Sequence, residues 1–355
     1  MDFQQITSRT PDWLTENVAE SDVVLSSRAR LARNLQNFNF VERASENDLR
    51  SIIKEVKSTI FELKTLKGVV VGSIDQLSQS EQNVLVERRL VTSDFIESEK
   101  PKEFAFLSDE SFSLMVNEED HLRFQVSQPG FQLDHAWEKV HRIDQEISDW
   151  LPYMVSDELG YLTTCPSNVG SGVRFSVFVH LPALQFLKEI DDVFDVVTPA
   201  GVAIHGIYGE SEKGVGSFFQ ISNQYTLGWK EIDLLKRLIS LIDQLIEKER
   251  DARKRLLSAH ALRVEDKVFR AVGILSHAKM ISSIELLEFI SALRLGIDLG
   301  IINGLPYGLL NEMLILCQPA HLQMQVGYKM EKMEIDRLRA SIIQHKLNLS
   351  SIHKD

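Results

Sequence analysis

The sequence places three acidic side chains in a row and follows them closely with an arginine, because residues 117–123 read NEEDHLR. Apolar and polar residues alternate on both sides, which predicts two β-strands joined by a turn at the acids. Taken alone, an acidic turn is usually a solvated charge cluster. However, side chains alternate along a strand, so Arg123 faces away from Leu122 and Phe124 and is placed to share one open side of the sheet with the carboxylates. Such a surface suits a substrate that carries charges of both signs.

A second charged motif, VLSSRARLAR, occupies residues 24–33 and contains three arginines. Arg28 and Arg30 are two positions apart, so in an extended segment they project from the same side and form a paired clamp for a polyphosphate. The alternative is a basic stripe that the abundant acids of the chain neutralise.

Two glycine-containing loops complete the set of motifs. The first, TCPSNVGSGVRFSV, spans residues 164–177, and its glycines would let a ligand approach the backbone just before Arg174 begins a strand. Cys165 lies in this loop without an identifiable partner histidine, which favours a small buried hydrophobe over a nucleophile. The second, HGIYGESEKGVGS, spans residues 205–217 and holds Glu210 between glycines that also fit ordinary loop punctuation.

Composition and charge exclude several classes of function. The 355 residues are 44% hydrophobic and 25% charged, which is typical of a globular protein with one large and one smaller domain. A formal net charge of -12 disfavours direct nucleic-acid binding and favours cationic partners. The two cysteines form no zinc-ligand pattern, and the chain has no P-loop, protein-kinase or HExxH motif. No membrane span or secretion signal is found, so we expect a cytoplasmic protein without a membrane partner.

Helical periodicity predicts how these motifs are framed. Residues 45–68 have one apolar helical face, a capping box at Ser45 and Asp48, and a stop at Gly68. Strand patterns follow in VRFSVFVHL, GVAIHGIYG and SFFQIS, which makes the region before Gly228 rich in sheet.

The region after Gly228 has a helical pattern instead. The polar run EKERDARKR ends a first domain at 1–256, and SAHALRVED then acts as the connector to an all-helical domain at 257–355. A capping box at Ser282 and Glu285 begins a helix of that second domain.

Taken in chain order, SSRARLARN, NEEDHLR, CPSNVGSGVR and GESEKGVGSFFQISN resemble the signature series of the phosphagen (guanidino) kinase superfamily. The resemblance extends from about Val24 to near Arg255 and implies an α+β fold, with an antiparallel sheet flanked by helices that carries an ATP:guanidino phosphotransferase site. Kinases of free metabolites have a helical domain on the order of 100 residues before the first arginine motif. The short leader before Arg28 and the helical extension after residue 256 instead resemble the bacterial protein-arginine kinases.

The resemblance also implies roles for individual residues. It implies catalytic carboxylates that hold the target guanidinium, at Glu119 and Glu210. It implies ATP-phosphate contacts at Arg28, Arg30, Arg123, Arg174 and position 205. The chemistry agrees, because a guanidinium with a pKa above ~12 becomes a nucleophile only when carboxylates fix its plane and accept its proton. Arginines together with Mg²⁺ would neutralise the phosphoryl donor, and no protein metal ligand is predicted.

Two positions depart from the family pattern. His205 replaces an arginine that reaches the nucleotide phosphates, and histidine is shorter and only fractionally charged at neutral pH. In the C-terminal region the phosphoarginine-sensing motif RDxxRA reads IDRLRA, with Ile335 in place of the first arginine. Asp336 and Arg339 remain, so a phosphate bound at this motif would lose one of the two guanidinium groups that can bind it in a bidentate way.

The resemblance implies a protein-arginine kinase that marks proteins for a Clp ATPase/protease in stress response. Implied partners are arginine-containing substrate proteins, a small zinc-binding activator, a transcriptional repressor of stress genes and a second copy of the chain in a homodimer. Two alternatives stay open: a kinase of free arginine, and a catalytically weak adaptor of the same family, which His205 favours.

Overall fold

The computed structural model describes residues 2–15, 18–206 and 214–349. Its strands are β1 (Val24–Arg33), β2 (Val70–Ser73), β3 (Glu103–Phe106), β4 (Phe112–Val116), β5 (Leu122–Pro129), β6 (Val155–Ser156), β7 (Gly160–Tyr161), β8 (Val173–His180), β9 (Val202–Gly206) and β10 (Phe218–Asn223). Its helices are α1 (Phe3–Thr7), α2 (Glu46–Glu62), α3 (Gln79–Glu87), α4 (Ser93–Glu97), α5 (Leu133–Ser148), α6 (Pro182–Phe186), α7 (Ile190–Val197), α8 (Glu231–His277), α9 (Ser283–Asp298), α10 (Tyr307–Leu316), α11 (Pro319–Val326) and α12 (Lys332–Leu349).

An eight-stranded sheet with the order β2-β3-β4-β5-β1-β8-β10-β9 is the centre of the fold. Each neighbouring pair in it is antiparallel. The arginine-bearing strand β1 therefore lies in the interior of the sheet between β5, which follows the acidic turn, and β8, which follows the glycine loop. The predicted α+β class, with an antiparallel sheet and flanking helices, is confirmed.

The two faces of this sheet differ because side chains alternate along each strand. One face is apolar, packs against α5 and α8, and buries Ala29, Leu31, Phe124, Val126, Phe175, Val177 and Ile221. The other face carries Arg28, Arg30, Arg123, Arg174, Gln220 and Ser222, as the strand register requires. Burial of the first face fixes the register, and the register fixes which polar groups become neighbours on the second.

Arg33 lies on the apolar side, because it is an odd number of residues from Arg28 and Arg30. It is buried, its Nη2 lies 2.8 Å from Asp144 Oδ2 on α5, and its guanidinium stacks 3.6 Å from the Tyr161 ring centroid. The third arginine of VLSSRARLAR therefore holds α5 against the sheet and leaves the open face to the other two.

The predicted helix beginning at Ser45 is confirmed, including its capping box with Asp48, but its end is not where the sequence pattern placed it. The helix stops at Glu62, and a 3-10 turn at Lys64–Leu66 follows. Leu66 is buried, so tertiary packing tightens the chain before Gly68 is reached. The capping box of Ser282 and Glu285 on α9 is confirmed as predicted.

The predicted connector SAHALRVED contains a break in the helical geometry. The helix α8 extends from Glu231 to His277, but His260, inside this segment, has non-helical dihedrals of φ -138° and ψ 25°, so two helices meet there at a kink. The segment contains neither glycine nor proline, and Val264 within it is buried, so the chain is helical on both sides of the kink. The division at residue 256 stays a prediction. Among the described residues, no helix is long and apolar enough to cross a membrane.

The buried Arg33–Asp144 pair makes a prediction about stability. Asp144→Ala leaves the Arg33 charge buried without its carboxylate, so we expect the free energy of unfolding to fall by about 3–5 kcal/mol. The exposed Arg142–Glu146 pair, on the same helix, provides the control. Arg142→Ala should change the unfolding free energy by less than about 1 kcal/mol in urea titrations. Equal losses in the two variants would contradict the structural role of Arg33.

Candidate active site

Four arginines predicted from three separate motifs lie together on the open face of the sheet. Arg30 on β1 is directly opposite Arg174 on β8 in the strand register, and Arg123 on β5 is opposite Ala32. Arg28, Arg30 and Arg123 line a cavity of about 160 Å³. Arg28 and Arg30 therefore project from the same face, as predicted, with two further cations beside them.

The electrostatics of this group favour an anion. Burial is the first cause that lowers the pKa of Arg28, to about 9, and repulsion from Arg89, Arg123 and Arg174 adds to it. Burial, followed by repulsion from Arg123, Arg28 and Arg174, lowers the pKa of Arg30 well below its ordinary value. An anion bound among these side chains would offset the cost of desolvation and reduce the repulsion between the guanidinium groups.

Hydroxyl groups on neighbouring strands orient two of the arginines. Arg28 Nε donates to Ser176 Oγ at 3.3 Å, and Arg174 donates from Nε and Nη2 to Ser222 Oγ at 3.3 and 3.1 Å. A neutral hydroxyl holds the guanidinium without cancelling its charge. The other donors of these two guanidinium groups form no hydrogen bond with residues 2–15, 18–206 or 214–349, so within this part of the chain they are placed to bind a ligand.

The acidic turn connects β4 to β5, as predicted, and its residues have distinct functions. Glu118 pairs with Arg123, with Oε1 2.5 Å from Nη1. Asp120 is buried and accepts hydrogen bonds from Asn34 Nδ2 at 2.6 Å and from the Thr164 backbone N–H at 2.7 Å. Asn117 donates to the Leu49 carbonyl at 3.0 Å. Three of these side chains are therefore used to hold the turn.

Glu119 is the exposed carboxylate of the turn. Its side chain makes no hydrogen bond or ion pair with any residue in the described ranges 2–15, 18–206 and 214–349. Partial desolvation by the surrounding turn, followed by repulsion from Asp120 and Glu118, raises the pKa of Glu119, while attraction to Arg123 and Arg30 opposes the rise. A carboxylate within the field of these arginines, and not committed to another partner, is suited to receive a substrate cation and its proton.

Two further predicted site residues are His205, which lies at the edge of the sheet, and Glu210, which lies outside the described residues. His205 is on the edge strand β9, opposite Gln220, and lines a neighbouring cavity of about 580 Å³. Gly206 lines both that cavity and the one between the arginines. Glu210 lies outside the described residues, so its role stays a prediction.

Two glycines of the loop before β8 are required by the fold, and the predicted approach of a ligand to the loop backbone stays a prediction. Gly172 has φ +63°, and a Cβ there would lie 2.5 Å from Arg33 Nη1. Gly170 has φ +110°, and a Cβ there would lie 2.8 Å from the Thr226 carbonyl oxygen. Cys165 is partly exposed, with Sγ 3.0 Å from Ser167 Oγ, so the interpretation of a small buried hydrophobe was wrong.

One arginine of this face was missed by the sequence analysis. Arg89 follows α3 and lines the same cavity as Arg28, Arg30 and Arg123. Its guanidinium lies 4.3 Å from the Phe178 ring centroid. The sequence signal that could have revealed it is the pair of consecutive arginines in RRL, residues 88–90, after a helical pattern. The same pattern is equally typical of a solvated helix end. Only the fold brings it to β1.

Comparison with known proteins decides the family. The ATP:guanido phosphotransferase C-terminal catalytic domain matches residues 51–252, and the protein-arginine kinase McsB C-terminal domain matches residues 261–355. The protein-arginine kinase of Bacillus pumilus is 42% identical over 340 residues, covering 95% of this chain and 93% of the relative. That of Halalkalibacterium halodurans is 40% identical over 345 residues, covering 97% of each. The chain belongs to the protein-arginine kinase family.

The protein is therefore an enzyme, an ATP-dependent phosphotransferase. These matches confirm the resemblance seen in the four motifs. Solved guanidino kinases share the fold. Lombricine kinase has a TM-score of 0.59 at 22% identity, covering 69% of this chain and 70% of that chain. The substrate-free duplicated taurocyamine kinase of Schistosoma mansoni has a TM-score of 0.57 at 23% identity, covering 67% of this chain and 35% of that chain. The matched part is thus about a third of the duplicated enzyme.

The raised pKa of Glu119 predicts a pH dependence. If its carboxylate accepts the proton of the substrate, kcat/KM should fall as acid protonates it, with a midpoint above the ordinary glutamate value of 4.5. Initial rates of ADP formation between about pH 4.5 and 8 measure this without depending on the acid-labile product. The acid limb should disappear from the residual activity of Glu119→Gln. An unchanged limb in that variant would assign the titration to another group.

Proposed function

We propose that this protein transfers the γ-phosphoryl group of ATP to arginine side chains of other proteins. The observation that carries the proposal is the uncommitted Glu119 carboxylate beside a group of arginines that repel one another on one sheet face. The names of the relatives, protein-arginine kinases over nearly their full length, support a protein substrate.

The acceptor side of the reaction requires a base and an orienting group. In the proposed step, Glu119 hydrogen-bonds the substrate guanidinium, fixes its plane and takes one N–H proton as the N–P bond forms. The bond between Pγ and the β,γ-bridging oxygen breaks at the same time, and ADP leaves with that electron pair. Glu210 is proposed as the second carboxylate on the guanidinium.

The donor side requires positive charge around the transferring group. Arg28, Arg30, Arg123 and Arg174 are proposed to bind the phosphate oxygens, with His205 at the margin, so that the charge developing on the γ-phosphoryl oxygens is stabilised. Among the described residues, no group of three or more acidic, histidine or cysteine side chains is placed to hold a metal ion. We therefore propose that Mg²⁺ arrives bound to the nucleotide's phosphate oxygens and to water, where it adds further charge neutralisation.

The cellular role forms the finer part of the proposal. We propose a cytoplasmic enzyme that acts as a homodimer, is stimulated by a small zinc-binding activator, and modifies substrates including a stress-gene repressor for a Clp ATPase/protease. In the IDRLRA segment, Arg339 is fully buried and donates to the Cys317 and Ile281 carbonyls at 2.8 and 2.7 Å. Ile335 is also buried, in an apolar cluster with Leu322 and Met330. These contacts support weak phosphoarginine sensing at this motif.

A kinase assay tests the substrate class. With MgATP and the activator, an arginine-rich unfolded protein should acquire acid-labile phosphate on arginine, whereas free L-arginine should not be turned over. Mass spectrometry of the protein and a coupled assay of ADP release measure the two substrates in parallel. Turnover of free arginine alone would establish the metabolite kinase instead.

A substitution tests the role of Glu119. Glu119→Gln keeps the size but removes the base, so kcat should fall by about 10²- to 10⁴-fold. The Kd for ATP should change little, because Glu119 forms no bond with the arginines. Glu138→Gln, an exposed change on α5 behind the sheet, is the matched control and should leave both quantities unchanged. Wild-type kcat in Glu119→Gln would refute the assigned role.

The adaptor alternative rests on His205 and is tested by nucleotide binding. An adaptor with a degenerate site should bind ATP poorly, whereas the proposed enzyme should bind it at micromolar to millimolar concentration. His205→Arg adds a full positive charge at the edge of the site, so we expect several-fold tighter ATP binding and a higher kcat/KM. Calorimetric titration and initial rates check this. Unaltered values would show that position 205 does not limit catalysis.

A further inference from the structure

Arg89 is a half-buried cation whose charge is unmatched in the described structure. Its guanidinium makes no hydrogen bond or ion pair with residues 2–15, 18–206 or 214–349, and it lies over the rings of Phe178 and Trp13, at 4.3 and 5.4 Å from their centroids. Burial lowers its pKa to about 10. Arg28, which lines the same cavity, has its own pKa lowered by repulsion from Arg89.

The backbone of Arg89 has a conformation that favours glycine. Its φ is 60°, and it follows the C-cap residue Arg88 at the end of α3. This is the position where helices commonly end with glycine, because a side chain in the left-handed region is strained. Strain of this kind persists where the surrounding structure imposes it and is frequent at functional sites. An arginine here therefore costs stability that a glycine would not.

The two residues before Arg89 are bound to the C-terminal helical region. Glu87 accepts hydrogen bonds from the Ala320 and His321 backbone N–H groups at 2.7 and 3.1 Å, which caps the start of α11, and its Oε2 lies 2.7 Å from His321 Nδ1. The Nη1 atom of Arg88 lies 3.2 Å from Nε2 of His321. These contacts join a helix more than 200 residues later in the chain to the segment that carries Arg89.

The same segment is also tied to the catalytic part of the chain. Arg88 donates from Nε and Nη2 to the buried carboxylate of Glu110 at 2.7 and 2.5 Å, and the Arg89 carbonyl accepts from Gln125 Nε2 at 2.7 Å. Arg88, Glu110 and His321 are buried. A buried, charged network of this kind holds a single geometry, because breaking any one partner leaves another unsatisfied.

We propose that α11 of the C-terminal helical region, acting through Glu87 and Arg88, holds Arg89 in the donor site as a fifth guanidinium that binds the nucleotide phosphates. The inference rests on the proposed function, since it requires that the arginine-lined cavity bind ATP. The C-terminal region thereby contributes to donor binding at a distance, and His321 is a positioning residue.

Arg89→Gly separates the functional role from a structural one. Glycine relieves the left-handed strain, so the melting temperature should stay the same or rise, while the Kd for ATP should rise by about 10- to 100-fold through loss of a charged hydrogen bond. The increase should be large for ATP, smaller for ADP and least for AMP. Equal increases for all three nucleotides would place Arg89 on the base and overturn the phosphate contact.

Controls distinguish failure of this inference from failure of the proposed function. If the wild-type protein bound no ATP, the proposed function would fail. If Arg28→Ala weakened ATP binding and Arg89→Gly did not, this inference alone would fail. Arg142→Ala, an exposed arginine on α5, is the matched control for lost charge and should leave the Kd unchanged.

A double-mutant cycle tests the positioning by α11. His321→Ala should raise the Kd and the KM for ATP with little change in kcat, and it should have no further effect in the Arg89→Gly background. Ser291→Ala removes another buried contact between the two regions, the 2.8 Å contact with His180 Nε2, and controls for stability. It should lower the melting temperature without altering the Kd. Additive effects of His321→Ala and Arg89→Gly on the Kd would overturn the positioning role.

Discussion

The mutual repulsion of guanidinium groups on one face of a sheet is the constraint on which the site depends. Arg28, Arg30, Arg123 and Arg174 approach one another although each disfavours the charge of the next. The free energy that holds them comes from the other face, where apolar residues of the same strands pack against α5 and α8. Strand alternation makes the two faces inseparable, so the core that stabilises the protein also concentrates its positive charge.

Arginines in different parts of the fold have different kinds of partner, and this difference leaves the positive charge of the open face available. Arg33 is neutralised by Asp144 and Arg88 by Glu110, and both pairs are buried and structural. On the open face, Arg28 and Arg174 are instead oriented by serine hydroxyls, Arg89 by aromatic rings, and Arg123 by its pair with Glu118. The same division separates the acids, since Glu118 and Asp120 hold the turn, whereas the Glu119 side chain forms no hydrogen bond or ion pair with the described residues. The charges that the fold does not use are the ones to which the proposed function assigns a role.

Much of this arrangement was predictable from local sequence. Alternation around NEEDHLR predicted the two strands and the turn, and the spacing of Arg28 and Arg30 predicted their common face, because both depend only on the two-residue period of a strand. The true end of α2 was not predictable in this way, since burial of Leu66 overrode the local stop signal. The helix on the far side of the kink at His260, where Val264 and Val268 are buried, was not predictable from the local connector signal either. The close packing of Gly170 and Gly172 was not predictable either, because their neighbours come from distant parts of the chain.

The sequence by itself determined the kinds of charge, their order and their alternation along strands, because these follow from residue type and backbone periodicity. The tertiary structure decided which arginines pair with a carboxylate among the described residues, and it alone brought Arg89 to the cavity beside Arg28. It also joined Glu87 to His321 across more than 200 residues of chain. Such contacts depend on the packing of whole elements, and short-range periodicity contains no information about which distant element packs against which.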